Sequence, residues 1–162
     1  MISALETIGI EGRSNFYENM GALRDIVQSH LLQLMSLTMM EAPKEMSSDA
    51  IHEEKLALLN SIEPIKPNHV DELAVRGQYA GYSTEVENPD SHVETYAALQ
   101  LGVASSRWGG VPILLRTGKA VDKKLTEINV VFKDRSRRSS IPNILTIRIQ
   151  PNEGIVIRLT AK

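Results

Sequence analysis

The sequence predicts an α+β domain, with two helices in its first half and an antiparallel β-sheet meander in its second. Three observations carry that expectation. Apolar residues recur at helical spacing at Leu23, Val27, Leu31 and Leu34, and again at Ile51, Leu58, Leu59 and Ile62. From Val93 the period changes to two, so that Val93, Thr95, Ala97, Leu99 and Leu101 share one strand face. Between these segments sit the residues that interrupt regular structure: Pro43, Pro64, Pro67 and the run Pro151-Asn152-Glu153-Gly154.

Taken in order, residues 16–41 read as one long helix, closed by Pro43. A second helix starts with Ser48 or Asp49 as N-cap and runs to about Ile62, where Pro64 stops it. The stretch Glu63–Asn68 is a stiff connection, since it holds two prolines. Strands follow at 93–101, 111–116, 126–133, 143–150 and 154–160. Short links favour antiparallel neighbours, and Pro151–Gly154 has the composition of a tight hairpin. Such a sheet buries one face on the helices and leaves the other to water or to a partner. The last strand reaches Lys162 with no closing helix, which predicts a chain cut from something longer.

Composition bounds the function. The 162 residues are 42% hydrophobic and 23% charged, enough for one domain with a real core. There is no cysteine, which removes disulfides, thiolate metal sites and cysteine nucleophiles and fits a reducing, cytoplasmic setting. A net charge of −2 gives no global attraction to nucleic acid or anionic membrane. No apolar run approaches the roughly 20 residues that span a bilayer, and Met1–Glu6 lacks the basic start of a secretory signal. His52, His69 and His92 have no metal-ligand spacing. The run Lys133–Ser140 is basic but carries no aromatic residues, so it reads as a solvated hairpin loop. Met35, Met39 and Met40 read as core filler.

His30 stands inside the first helix, in Leu23-Arg24-Asp25-Ile26-Val27-Gln28-Ser29-His30-Leu31-Leu32-Gln33. By itself it is either a hydrogen-bonded structural residue or a general base, since neutral imidazole can accept a proton near pH 7. The segment resembles the helix of glucose-6-phosphate dehydrogenases that carries the catalytic histidine. Glu6-Thr7-Ile8-Gly9-Ile10-Glu11-Gly12-Arg13 is similar to the stretch preceding that helix. Val75–Tyr79, Glu94–Leu99, Arg107-Trp108, Gly110-Val111-Pro112, Leu115–Lys119 and Ile147–Gly154 resemble further blocks of the family in the same order. Together they extend over nearly the whole chain.

The resemblance implies a partial C-terminal, substrate and dimerisation domain over 1–162, without the coenzyme domain. It implies His30 as the base that takes the proton of the sugar C1 hydroxyl. It implies Glu6 and Asp25 as acceptors for sugar hydroxyls, Lys119 and Lys124 as cationic contacts, and Gln150 as a further substrate neighbour. The implied reaction oxidises glucose 6-phosphate to 6-phosphogluconolactone with reduction of NADP, at the entry to the oxidative pentose phosphate route; the implied assembly is a homodimer through the sheet. Without the resemblance, Glu6 reads equally as a solvated strand residue, Asp25 as half of a surface ion pair and Lys119 as a turn lysine after Gly118. Lys123 beside Lys124 leaves a choice of register.

Three departures qualify the resemblance. Ser29 stands where the family has Asn, and Ser14 where it has Gly. Leu125 and Asn129 occupy positions that are basic in animal members, so no second coenzyme site is expected. No G-x-G-x-x-G spacing occurs, and neither does the family's His-Tyr-Leu-Gly-Lys phosphate segment with its preceding aspartate. A chain of this content is expected to lack dehydrogenase activity alone, which keeps open two alternatives: a non-catalytic sugar-phosphate-binding or assembly module, and a fragment with no independent function. One geometric problem also stays open. Asp25 and His30 are five positions apart, about 140° around an ideal α-helix. Either the substrate lies across the helix or the helix is distorted between them.

Overall fold

A computed structural model describes residues 1–133 and 141–160. The basic run predicted as a hairpin loop therefore lies, beyond Lys133, outside the described residues.

The first half forms a helical layer. Helix α1 (Ser14–Ala22), a π-helical segment (Leu23–Leu31) and α2 (Leu32–Met39) follow one another without a loop. The expected long helix is thus present over its length but is neither straight nor uniformly α. Its inward side holds Val27, Leu31, Met35 and Met39, all nearly or fully buried. Helix α3 (Ser48–Asn60) begins one residue earlier than expected. Ser47 is extended, and its Oγ accepts a hydrogen bond from the Ala50 N–H at 3.3 Å, so Ser47 is the cap. Ile62, expected at the helix end, pairs instead in a two-residue strand, β2 (Ile62–Glu63). Two single-turn helices, α4 (Val70–Leu73) and α5 (Tyr82–Glu85), flank strand β3 (Ala74–Gly77).

The second half supplies β4 (Tyr96–Val103), β5 (Ile113–Gly118), β6 (Leu125–Val131), β7 (Ile144–Gln150) and β8 (Gly154–Arg158). With β1 (Ile2–Leu5) they pair in a mostly antiparallel sheet of order β2-β4-β5-β1-β6-β7-β8, with β3 also on β4. The meander is interrupted once. Strand β1 (Ile2–Leu5) sits between β5 and β6, parallel to the first and antiparallel to the second. Four residues are too few to show a period, so this central strand left no trace in the pattern.

The main core lies between the helical layer and one face of the sheet. Ile2, Ala97, Ile113, Leu115 and Ile128 from the strands meet Val27, Leu31, Met35 and Leu58 from the helices. Each large apolar side chain buried here contributes about 1.5–3 kcal/mol. A smaller cluster holds Ile10, Tyr17 and Tyr82, with Tyr79 against it. Its rings meet edge to face, Tyr17 to Tyr82 at 6.1 Å and Tyr79 to Tyr82 at 5.5 Å. No described helix is long and apolar enough to cross a membrane.

Candidate functional site

The site grows out of the parallel ladder of β1 and β5. Because β1 and β5 run side by side in register, Leu5 opposite Gly118, their next residues leave the sheet at the same edge. Those residues are Glu6 and Lys119. Backbone bonds fix both: Glu6 N–H donates to the Gly118 carbonyl at 2.9 Å, and Lys119 N–H to the Thr95 carbonyl at 3.0 Å. The Lys119 ammonium then donates to the Glu6 carboxylate at 2.5 Å. The lysine is 5% exposed and the Glu6 side chain 38%. A buried ammonium is tolerated only when paired, and this one also lies 5.5 Å from the ring centroid of Tyr17.

The helical layer brings the second group of residues. At Gly21 the backbone turns to φ +66, and a Cβ there would sit 2.5 Å from the Glu94 carboxylate. Only glycine fits that conformation and that space. Glu94 also restarts the helix: its carbonyl accepts from the Ala22 N–H and its carboxylate from the Leu23 N–H, each at 2.9 Å. Two N–H groups that a fresh helix start leaves without partners are thereby satisfied.

From this start the chain winds wide. At its far end the Leu32 N–H donates to the Val27 carbonyl, an i→i+5 bond. In a helix with this bonding, residues five apart stack on one side, as residues four apart do in an α-helix. The distortion between Asp25 and His30 is therefore present, and the 140° separation of an ideal helix does not apply. The Ser29 hydroxyl donates to the Asp25 carbonyl within the same turn.

Between the π-segment and the sheet opens a cleft of about 520 Å³. Four of the expected residues line it: Glu6, His30, Lys124 and Gln150. Ser29, Gln33, Thr117 and Thr126 add polar groups, and Leu5, Ile26, Leu34 and Ile149 an apolar wall. Lys119 does not line the cleft; it reaches it through Glu6. Asp25 does not line it either and lies close to Tyr17, on whose phenol its charge acts. Lys124, by contrast, is exposed and faces the cleft. The His30 ring is exposed and makes no hydrogen bond among the described residues. No three of the described His, Asp and Glu side chains converge as metal ligands.

Two residues central to this arrangement carried no signal of their own in the sequence. Glu94 stands only at the start of a block, and Tyr17 only inside the predicted long helix of residues 16–41. Burial, followed by the charges of Asp25, Glu94 and Glu6 and by Tyr79, drives the Tyr17 phenol far above its ordinary pKa.

Fold and cleft together define an α+β domain in which a kinked helical rod lies along one face of a mixed sheet and shares a polar cleft with it. Among known proteins the match is broad. The family profile described as "Glucose-6-phosphate dehydrogenase, C-terminal domain" matches residues 1–162, and the chain belongs to that family. It is 41% identical to the glucose-6-phosphate 1-dehydrogenase of Bacillus subtilis, over 99% of this chain and 37% of the relative. With that of Rhizobium meliloti it shares 39% identity, over 99% of the chain and 36% of the relative. The crystal structure of glucose-6-phosphate 1-dehydrogenase from Mycobacterium avium superimposes with a TM-score of 0.87 at 38% identity, covering 99% of this chain and 36% of that one. A glucose-6-phosphate dehydrogenase in complex with its substrate glucose-6-phosphate gives 0.89 at 34% identity, covering 99% and 35%. The chain thus spans little more than a third of the length of these relatives.

Proposed function

We propose that this chain is the sugar-phosphate half of a glucose-6-phosphate dehydrogenase site, a C-terminal domain that works with a coenzyme domain in the cytoplasm. The observation that carries the proposal is the shared cleft: a histidine, a carboxylate, a cation and an amide face one space of small-molecule size. In this reading Lys124 meets the phosphate, Glu6 accepts a sugar hydroxyl with Lys119 holding it in place, and Gln150 closes the far side. His30 takes the C1 hydroxyl proton, which raises electron density at C1 and favours loss of its hydride. Asp25, one wide turn before His30 on the same segment, accepts a hydrogen bond from a sugar hydroxyl that reaches beyond the cleft lining. NADP would accept the hydride, but the described residues do not fit it: no parallel strand–turn–helix unit with a glycine-rich turn occurs among them. The oxidation is therefore assigned to the two-domain protein and not to this chain alone.

For the chain by itself we propose binding without turnover. The exposed His30 ring, with no described partner to fix its tautomer, supports this second reading. Lys124 as a single exposed cation predicts a dissociation constant on the order of millimolar. Glucose 6-phosphate titrated at low salt should shift amides around residues 26–34 and 119–126, with glucose and inorganic phosphate as controls. Identical shifts from inorganic phosphate alone would reduce the site to nonspecific anion binding. Turnover with NADP that survives repurification and disappears in His30→Asn would refute the assignment of chemistry to two domains. The uncovered sheet face, with Ile155 and Ile157 exposed, supports the homodimer, which light scattering across concentrations tests.

A further inference from the structure

We propose that Tyr17 is a positioning residue of this site: the face of its ring holds the Lys119 ammonium against Glu6, and so fixes the carboxylate that borders the cleft. The inference rests on the functional reading above for its consequence, and on geometry for its mechanism.

Tyr17 is fully buried, and its hydroxyl has no hydrogen-bond partner among the described residues. The hydroxyl bonds to none of its described neighbours, so what this residue can give its surroundings beyond packing is the face of its ring. What the ring does have is a cation, with the Lys119 nitrogen 5.5 Å from its centroid. That ammonium has three donors and spends one on Glu6. Glu6 alone leaves it free to pivot about that single bond. The ring supplies a second attraction, strengthened by exclusion of water. Tyr17 is itself held by Tyr82, whose ring meets it edge to face. Tyr82 in turn donates through its hydroxyl to Glu18 at 2.6 Å. A chain of contacts thus runs from Glu18 through Tyr82, Tyr17 and Lys119 to Glu6 at the cleft.

The test replaces the ring electronically without changing its shape. Phenylalanine and pentafluorophenylalanine placed at position 17 both lack the hydroxyl, but only the first keeps a negative ring face. The Lys119 Nζ–H signal in nitrogen-15 NMR, visible when a buried ammonium exchanges slowly, reports positioning directly. Tyr17→Phe should keep that signal and bind glucose 6-phosphate as tightly as the unsubstituted chain. The fluorinated variant should lose the signal and bind roughly five- to thirtyfold more weakly, at unchanged fold by circular dichroism. Equal signals in both variants would overturn the proposal. So would weakened binding in Tyr17→Phe with the Lys119 signal intact, which would make the hydroxyl a direct ligand. If the unsubstituted chain gives no shifts with glucose 6-phosphate, the functional reading fails, while the Lys119 signal still decides the role of Tyr17.

Discussion

The middle of the sheet and its β8 edge carry similar side chains and treat them oppositely. Where β1, β4 and β5 lie under the helical rod, Ile2, Ala97 and Leu115 are shut away from water. On β8, all five residues are exposed, Ile155 at 71% and Ile157 at 60%. The strand composition does not distinguish these two regions; the covering layer does. Charge divides differently, within the covered region itself. Lys119 is paired with Glu6 beside a tyrosine ring, whereas Lys124 stands exposed at the cleft. Cover by the helical layer shuts apolar side chains away along the middle strands, and its absence leaves those of β8 available.

The comparison can be broken most severely at Gly21. A side chain there would meet the Glu94 carboxylate at 2.5 Å in a backbone conformation that L residues resist. Gly21→Ala should cost about 4 kcal/mol, lowering the midpoint of thermal unfolding by ten degrees or more on the scale of roughly 3 °C per kcal/mol. A melt unchanged within two degrees would show that the kink does not need glycine.

A pair of truncations sharpens the contrast between the two regions. Leu31→Ala opens a cavity at a site with no exposure and should cost about 3 kcal/mol in urea unfolding. Ile157→Ser, at the open edge, should leave monomer stability within about 0.5 kcal/mol while reducing self-association. Comparable losses from both would mean that β8 is covered in solution by something within the monomer.

The two members of the buried ion pair should also respond unequally. Glu6→Gln leaves the Lys119 ammonium buried without its counter-charge and should cost about 2–3 kcal/mol. Lys119→Met leaves a carboxylate that is 38% exposed and can hydrate, so about 1 kcal/mol or less is expected. Denaturant midpoints of the two variants check the order.

The smallest effect concerns Glu18. Burial pushes its carboxyl pKa up, but hydrogen bonds from Tyr82, Ser91 and Asn88 pull it further down, to a net value below the ordinary 4.5. A depressed carboxylate contributes stability that is present above its unfolded pKa and is lost as the pH falls through the folded value. The melting temperature should therefore decline below about pH 4.5, and Glu18→Gln should flatten that limb slightly, a difference that melts across pH 3–6 check.

What the sequence revealed depended on length and repetition. The strands from Tyr96 onward and helix α3 were legible because each repeats its period several times. Strand β1 was not, since Ile2–Leu5 completes hardly two repeats and owes its place to partners far along the chain. The π-segment was invisible for another reason. It follows a kink at Gly21, where the distant Glu94 carboxylate sits, and periodicity around 3.6 still places Val27 and Leu31 inward. The residues expected at the site were found through resemblance, and their unequal placement, with Lys124 open and Lys119 buried, could not be read from spacing. Tyr17 escaped because an aromatic residue near a helix start looks like core.

The central position of β1 has a consequence for how the chain comes to be folded. Ile2 pairs with Leu115 on one side and Ile128 on the other, so β1 waits for β5 and β6. At the usual ~5–20 residues per second, its edges stay unsatisfied for about ten seconds during synthesis. Closing the sheet then demands a large loop entropy before any reward from the site, which sets slow folding and a window for mispairing. The same late event brings Glu6 to Lys119, so the cleft is assembled only when the sheet is complete.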